Sequence, residues 1–203
     1  MTGITTFFFD LGGVVMTNGW DRATRRRAVE RFHLDGDEFE DRHELLANDF
    51  EIGRISLDHY LERTVFYRER PFSRDEFREF LFAQSHVYPE ALAVVGALAR
   101  AGKYLLAALN NESEELNRHR IEKARLRDYF IAFLSSCYLG VRKPDEKIYR
   151  LALGITQREA AESLFVDDRA LNVESAERLG MRAIRYESPA QLREALRKYA
   201  IDV

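Results

Sequence analysis

The tightest constraint on this chain is a recurring pair: an apolar run too short for a helix, then a polar residue where the run stops. The first instance is Phe7-Phe8-Phe9-Asp10-Leu11-Gly12-Gly13-Val14-Val15. Ile4 to Phe9 shows no alternation, which predicts a strand covered on both faces. Tyr104 to Leu109 stops at Asn110, Ile131 to Cys137 leads to Lys143, and Ser163 to Val166 stops at Asp167-Asp168. Arg182 to Arg185 makes a fifth run.

Helical patterns separate the later runs. Pro89 opens one that reaches Ala101 and stops at Gly102, and Asn111 with Glu114 three residues on reads as the cap of the next. Others are expected from Asp145 to Leu153, after a Thr156-Gln157-Arg158-Glu159 capping box, from Asp168 to Leu179 before Gly180, and from Ser188-Pro189 onward. Strands separated by such helices predict a parallel sheet with right-handed crossovers and helices on both faces.

Residues 20 to 86 break the alternation, for they hold no second buried strand. Asp21 to Phe32 and Asp37 to Leu46 read as helices with Gly36 between them. Ser56 starts a third, with Leu57, Tyr60, Leu61, Thr64 and Val65 on one face, and Ser73-Arg74-Asp75-Glu76 is a capping box opening a fourth. The expected organisation is therefore an α/β core of residues 1–15 and 88–203, with a helical cap of residues 16–87 inserted after the first strand. A layer that leaves and re-enters beside Asp10 is suited to act as a lid.

Composition narrows the partners. With 31 basic and 34 acidic residues among 203, no nucleic-acid or anionic-membrane partner is called for. No apolar run approaches the roughly 20 residues of a membrane span, and the first strand begins without a basic-then-apolar leader, so a cytoplasmic protein is expected. Cys137 is the single cysteine, which rules out a disulfide framework. Arg25-Arg26-Arg27 reads as a solvated helix face, and His33, His43, His59 and His86 as structural or solvent-facing residues. The sequence leaves the oligomeric state open.

In a parallel sheet the carboxyl ends of the strands share one edge, where ligands bind. Asp10, Asn110, Lys143, Asp167 and Asp168 should therefore converge. Taken singly, each has a plainer role as a turn, cap or surface residue. Together, three carboxylates would repel one another and shift their pKa values unless a cation joined them. Mg²⁺ takes oxygen ligands and leaves room for a phosphate. Lys143 and the Asn110 amide can then hold phosphate oxygens, leaving Asp10 as a carboxylate nucleophile.

In these motifs the chain resembles the haloacid dehalogenase superfamily of Mg²⁺-dependent phosphatases and their relatives. The resembling segments are Phe-Phe-Asp-Leu-Gly-Gly-Val-Val at 8–15, Leu-Ala-Ala-Leu-Asn-Asn at 106–111, Gly-Val-Arg-Lys-Pro-Asp at 140–145 and Leu-Phe-Val-Asp-Asp-Arg-Ala-Leu-Asn-Val-Glu-Ser-Ala at 164–176. The nearest subgroup is that of sugar-phosphate phosphatases and the phosphatase domains of epoxide hydrolases. The resemblance implies a Rossmann-like core with a small helical cap, and a phosphatase acting on a small phosphorylated metabolite. It makes Asp10 nucleophile and metal ligand, with the Gly12 carbonyl, Asp168 and Asp167 also on the metal. Asn110, Asn111, Gly12 and Lys143 would face the phosphate, and Asn172 would support the ligands from behind.

Two positions depart from the family pattern. Asn110 stands where a Ser or Thr hydroxyl is usual. Gly12 stands where the phosphatases carry a second Asp that protonates the leaving group, a function generally worth about 10²–10⁴-fold. The missing acid motivates an alternative, a weakly catalytic or non-catalytic phosphate-binding protein, and a metal-free dehalogenase is a third. Asn18, Trp20 and the stretch from Asn48 to Arg54 are expected to line the substrate side.

Overall fold

The computed structural model describes residues 3–203; the first two residues of the expected core segment lie outside it. Strand β1 (Thr6–Phe9) leads into four helices, α1 (Arg22–Phe32), α2 (Gly36–Glu51), α3 (Leu57–Thr64) and α4 (Arg74–Ala83). Then come α5 (Pro89–Arg100), β2 (Leu105–Ala108), α6 (Glu114–Lys123), β3 (Ala132–Phe133), α7 (Ser136–Leu139) and α8 (Glu146–Thr156). The chain ends with β4 (Ser163–Asp167), α9 (Ala170–Arg178), β5 (Arg182–Arg185) and α10 (Pro189–Arg197).

The five strands form one parallel sheet in the order β3-β2-β1-β4-β5, so the phenylalanine-rich β1 lies at its centre. Successive strand residues face opposite ways, and β1 feeds both layers. Phe7 and Phe9 pack with Val94, Val95 and Leu98 of α5 and with Leu192 and Leu196 of α10. Phe8 packs with Ile148 and Tyr149 of α8 and Ala176 of α9. The sheet is thus covered on both faces by helices, as an unalternating apolar strand requires.

Helices α1–α4 gather around a separate apolar cluster, Phe32, Phe39, Phe50, Tyr60, Leu61, Phe77 and Leu81 among them, into which Leu116 of α6 inserts. The starts of α1, α3 and α4 follow the sequence signals, and α2 is capped by Asp35. Asp21, Asp35 and Ser56 accept hydrogen bonds from the first turns of α1, α2 and α3, and the Ser73–Glu76 capping box is formed in both directions. The chain enters and leaves this layer through paired segments: the Thr17 N–H donates to the His86 carbonyl (2.8 Å), and the His86 N–H donates to Thr17 Oγ1 (2.9 Å). Buried Arg120 donates to the Thr17 carbonyl at 2.8 Å and locks this neck onto α6.

Four local expectations need correction. The run from Ile131 to Cys137 yields only two paired residues in β3, because Ser135 turns inward to bond Asn110 and Asn117 and α7 starts at Ser136. Asn111 does not cap α6; Ser113 holds the cap position, since the Asn111 amide is engaged elsewhere. The Thr156–Glu159 box does not form, because Gln157 closes α8 in a left-handed conformation and Glu159 pairs instead with Glu162. Helix α2 runs to Glu51 rather than Leu46, with Gly36 as its first residue, so Asn48–Glu51 is helix rather than loop.

Candidate active site

Asp10 follows β1, and its N–H still bonds the Val166 carbonyl at 2.8 Å, so its side chain stands at the sheet edge beside β4. Asp10 Oδ1 accepts from the Leu11 N–H (2.8 Å) and lies 3.1 Å from Lys143 Nζ. Lys143 Nζ also donates to Asp167 Oδ2 at 2.6 Å, and Asn172 Nδ2 reaches both Asp167 oxygens at 3.0 Å. Asp167 takes a further bond from the Arg169 N–H and is fully buried. It therefore holds Lys143 and the turn into α9, whereas Asp10 and half-buried Asp168 line an open cavity.

Carboxylate oxygens of Asp10, Asp167 and Asp168 lie within 4.8 Å of one another. Burial pushes the Asp10 carboxyl up to about 7; Lys143 pulls it down, while Asp167 and Asp168 push it further up. Burial also raises Asp168, with Asp167 adding to the effect. Burial alone would lower Lys143, but Asp10 and Asp167 outweigh it and hold the ammonium charged. One ammonium does not satisfy three carboxylates, and a hard divalent cation at Asp10 and Asp168 would supply the missing charge.

The glycines shape this corner differently. Gly13 has φ +75°, and a Cβ there would lie 2.3 Å from Asp168 Oδ2, so only glycine lets the carboxylate approach. Gly12 has no positive φ, and its Cβ would meet only the Asn18 side-chain oxygen, at 2.7 Å. Asn18 thus occupies the space that a side chain at position 12 would enter.

The phosphate side is not arranged as expected. Asn110 does not line the cavity: its amide N–H donates to Asn117 Oδ1 (3.1 Å) and its oxygen accepts from Ser135 (2.9 Å). Asn111 does line it, and its amide clamps Lys143, donating to the Lys143 carbonyl and accepting from the Lys143 N–H, both at 2.8 Å. Asn111 therefore positions the lysine through its side chain.

The cavity holds about 450 Å³ between the sheet edge and the helical layer. Asn18 and Trp20 line it as anticipated, but of the 48–54 stretch only Phe50 and Glu51 do. Sequence reasoning passed over Glu112, Arg142 and Arg169 and read His43 as structural or solvent-facing; all four also line it. Glu112 directly follows Asn111 and Arg142 directly precedes Lys143, so adjacency to a marked residue was the available signal. Glu112 lies 3.2 Å from buried Arg120, yet burial pushes its carboxyl up to about 7 against the lowering by Arg120, and Glu51 adds to the rise. Glu51 is itself raised by burial and pairs with Arg142 at 2.8 Å.

A parallel α/β sheet with an acidic, lysine-bridged crevice at its strand ends, roofed by a helical layer, defines a class of hydrolase-like folds. This chain belongs to the haloacid dehalogenase-like hydrolase family, whose model matches residues 4–180. It is similar to flavin mononucleotide hydrolase 1 of Arabidopsis thaliana, 27% identical over 162 residues, covering 80% of this chain and 65% of that protein. It is 35% identical over 101 residues to a phosphoserine phosphatase of Thermus thermophilus, covering 48% of this chain and 39% of that one. The chain thus spans less than two thirds of the length of these curated relatives. (S)-2-haloacid dehalogenases also stand among the relatives. A solved enzyme of this family from Bacteroides thetaiotaomicron, in complex with magnesium and inorganic phosphate, shares the fold with TM-score 0.75 and 19% identity, covering 91% of this chain and 95% of that one. No described helix is long and apolar enough to cross a membrane.

Proposed function

We propose that the protein is a Mg²⁺-dependent phosphatase of a small phosphorylated metabolite, with residues 16–87 acting as its cap. The observation that carries this reading is the set of Asp10, Asp167 and Asp168 around Lys143 at one sheet edge. Mg²⁺ would be held by Asp10, Asp168 and the Gly12 carbonyl, with Asp167 behind them, and would supply charge neutralisation for the phosphoryl oxygens. Phosphatases and a magnesium–phosphate complex among its relatives support the same choice.

The chain's own groups divide the work. Asp10 Oδ1 is tied to the Leu11 N–H and Lys143, whereas no protein group among the described residues bonds Oδ2. Oδ2 attacks phosphorus, the bond from phosphorus to the leaving oxygen breaks, and an aspartyl-phosphate forms. Water then attacks the phosphorus, releasing phosphate and restoring the carboxylate. Lys143, fixed by Asp167 and Asn111, orients Asp10 and faces the phosphoryl oxygens. Gly12 cannot protonate the leaving oxygen, and we assign that proton to Glu112, the raised carboxyl on the strand-two side of the cavity.

A phosphometabolite panel with and without Mg²⁺ tests the reading: phosphate release is expected with the metal and none from Asp10→Asn. Activity that survives Asp10→Asn refutes it. Trapping of a phosphate analogue without turnover would favour a non-catalytic binder, the alternative that Gly12 motivates. Metal-independent halide release would favour a dehalogenase.

A further inference from the structure

His43, on the cavity-facing side of α2, belongs to a hydrogen-bonded row that the chemistry above does not use. Trp20 Nε1 lies 2.9 Å from the Tyr60 hydroxyl oxygen, which lies 2.8 Å from His43 Nδ1. Tyr60 is fully buried. An indole N–H only donates, so the Tyr60 oxygen must accept from Trp20. The phenol has one proton of its own, and His43 Nδ1 is the acceptor available to it. Were Nδ1 protonated instead, the phenol oxygen would accept twice and its O–H would be buried with nowhere to go, at the usual cost of an orphaned donor. The row therefore runs Trp20 to Tyr60 to His43, and it leaves the imidazole proton on Nε2.

That Nε2 has no protein partner among the described residues and is not sealed from solvent, while His43 lines the cavity. Trp20 is held at its other end too, because Arg25 donates to its carbonyl at 2.9 Å and grips Glu40 with the rest of its guanidinium. The ring is thus fixed from behind and open in front.

We propose that His43 is a specificity-determining residue whose Nε2–H donates to an acceptor oxygen on the substrate's leaving group, with Tyr60 and Trp20 as its positioning residues. The inference rests on the phosphatase reading and narrows its substrate class. The leaving group carries a hydroxyl or carboxylate oxygen that reaches the roof of the cavity. A leaving group without an acceptor oxygen gains nothing from this donor. Burial, then Arg25, brings the His43 pKa down to about 4 against the pull of Glu40, and Arg142 adds to the lowering. The ring accordingly stays a neutral donor at physiological pH.

Two measurements test this. Long-range ¹H–¹⁵N spectra of the imidazole in the intact protein at pH 7 should show the Nε2–H tautomer, and Tyr60→Phe should convert it to a mixture. An Nδ1–H tautomer or an imidazolium in the unmodified protein overturns the row. Kinetics with Mg²⁺ then compare glycerol 1-phosphate with phenyl phosphate, which has no acceptor outside the phosphoryl group. His43→Leu should lower kcat/KM for the polyol phosphate about tenfold, mainly through KM, and leave phenyl phosphate unchanged. His43→Gln, which keeps an N–H near the same place, should recover most of the loss. Equal losses on both substrates, or no rescue by Gln, overturn the specificity role. If the unmodified protein hydrolyses neither compound or any other phosphate ester, the phosphatase reading falls and the substrate assignment with it, while the spectra still decide the row.

Discussion

Replacing Gly12 by Asp probes the feature that most separates this chain from phosphatases of its family. The backbone at Gly12 lies outside the left-handed region, so an L side chain is admitted without strain. A Cβ would meet Asn18 Oδ1 at 2.7 Å, and Asn18 is an exposed residue whose side chain can swing away. The cost of that adjustment is about 0.5–1.5 kcal/mol, that of an off-rotamer side chain. A placed proton donor is generally worth about 10²–10⁴-fold, or roughly 3–5 kcal/mol of barrier, and a donor at position 12 gains the part of this that the Glu112 route leaves unused. The gain exceeds the cost, so Gly12→Asp should raise turnover on alkyl phosphates by at least about tenfold and leave aryl phosphates, whose leaving groups need no proton, nearly unchanged. Gly13→Ala is the contrasting control: φ +75° and a 2.3 Å approach to Asp168 Oδ2 should cost the Mg²⁺ dependence itself. Steady-state phosphate release with matched alkyl and aryl esters, over a Mg²⁺ titration, reads both. Loss of activity on both ester types in Gly12→Asp, or a normal Mg²⁺ response in Gly13→Ala, would refute the reasoning.

Lys143→Met should destabilise the fold by about 3–5 kcal/mol in urea, because it strands Asp10 and Asp167 as uncompensated buried carboxylates; a loss below about 1 kcal/mol would mean the ammonium is not the cation holding them. Glu112→Gln should slow alkyl-phosphate hydrolysis about 10²-fold while sparing aryl esters, and should remove the fall in rate expected above pH 7 as the carboxyl loses its proton. The same carboxyl, raised in the folded protein from 4.5 to about 7, binds more protons folded than unfolded, so its contribution to stability falls as pH rises through that window. Thermal unfolding of Glu112→Gln should accordingly depend less on pH between 5 and 7, and an unchanged slope would contradict the assignment.

The sequence by itself determined the sheet and its edge. Phe7-Phe8-Phe9 has no polar face, so it had to be central and doubly covered, and it lies between β2 and β4 with helices on both sides. Residues that end parallel strands must share an edge whatever their separation along the chain, which is why Asp10, Lys143, Asp167 and Asp168 could be grouped from residues up to 158 positions apart. The starts of α1, α3 and α4 were equally legible, since Asp21, Ser56 and Ser73 act on their own next turn.

Tertiary structure decided which polar atoms remain free once their neighbours are in place. Asn110 and Asn111 are indistinguishable in sequence, yet Ser135 and Asn117 take up the first amide, while the second turns to the Lys143 backbone. Asp167 and Asp168 are likewise adjacent, and only burial and the Asn172 bonds separate the carboxylate that holds Lys143 from the one that faces the cavity. The His43 row joins α2, α3 and the Trp20 turn across 17 and 40 residues. No periodicity encodes such a contact, because it depends on how the helices dock, and docking is set by the summed packing of the whole apolar cluster rather than by any local pattern.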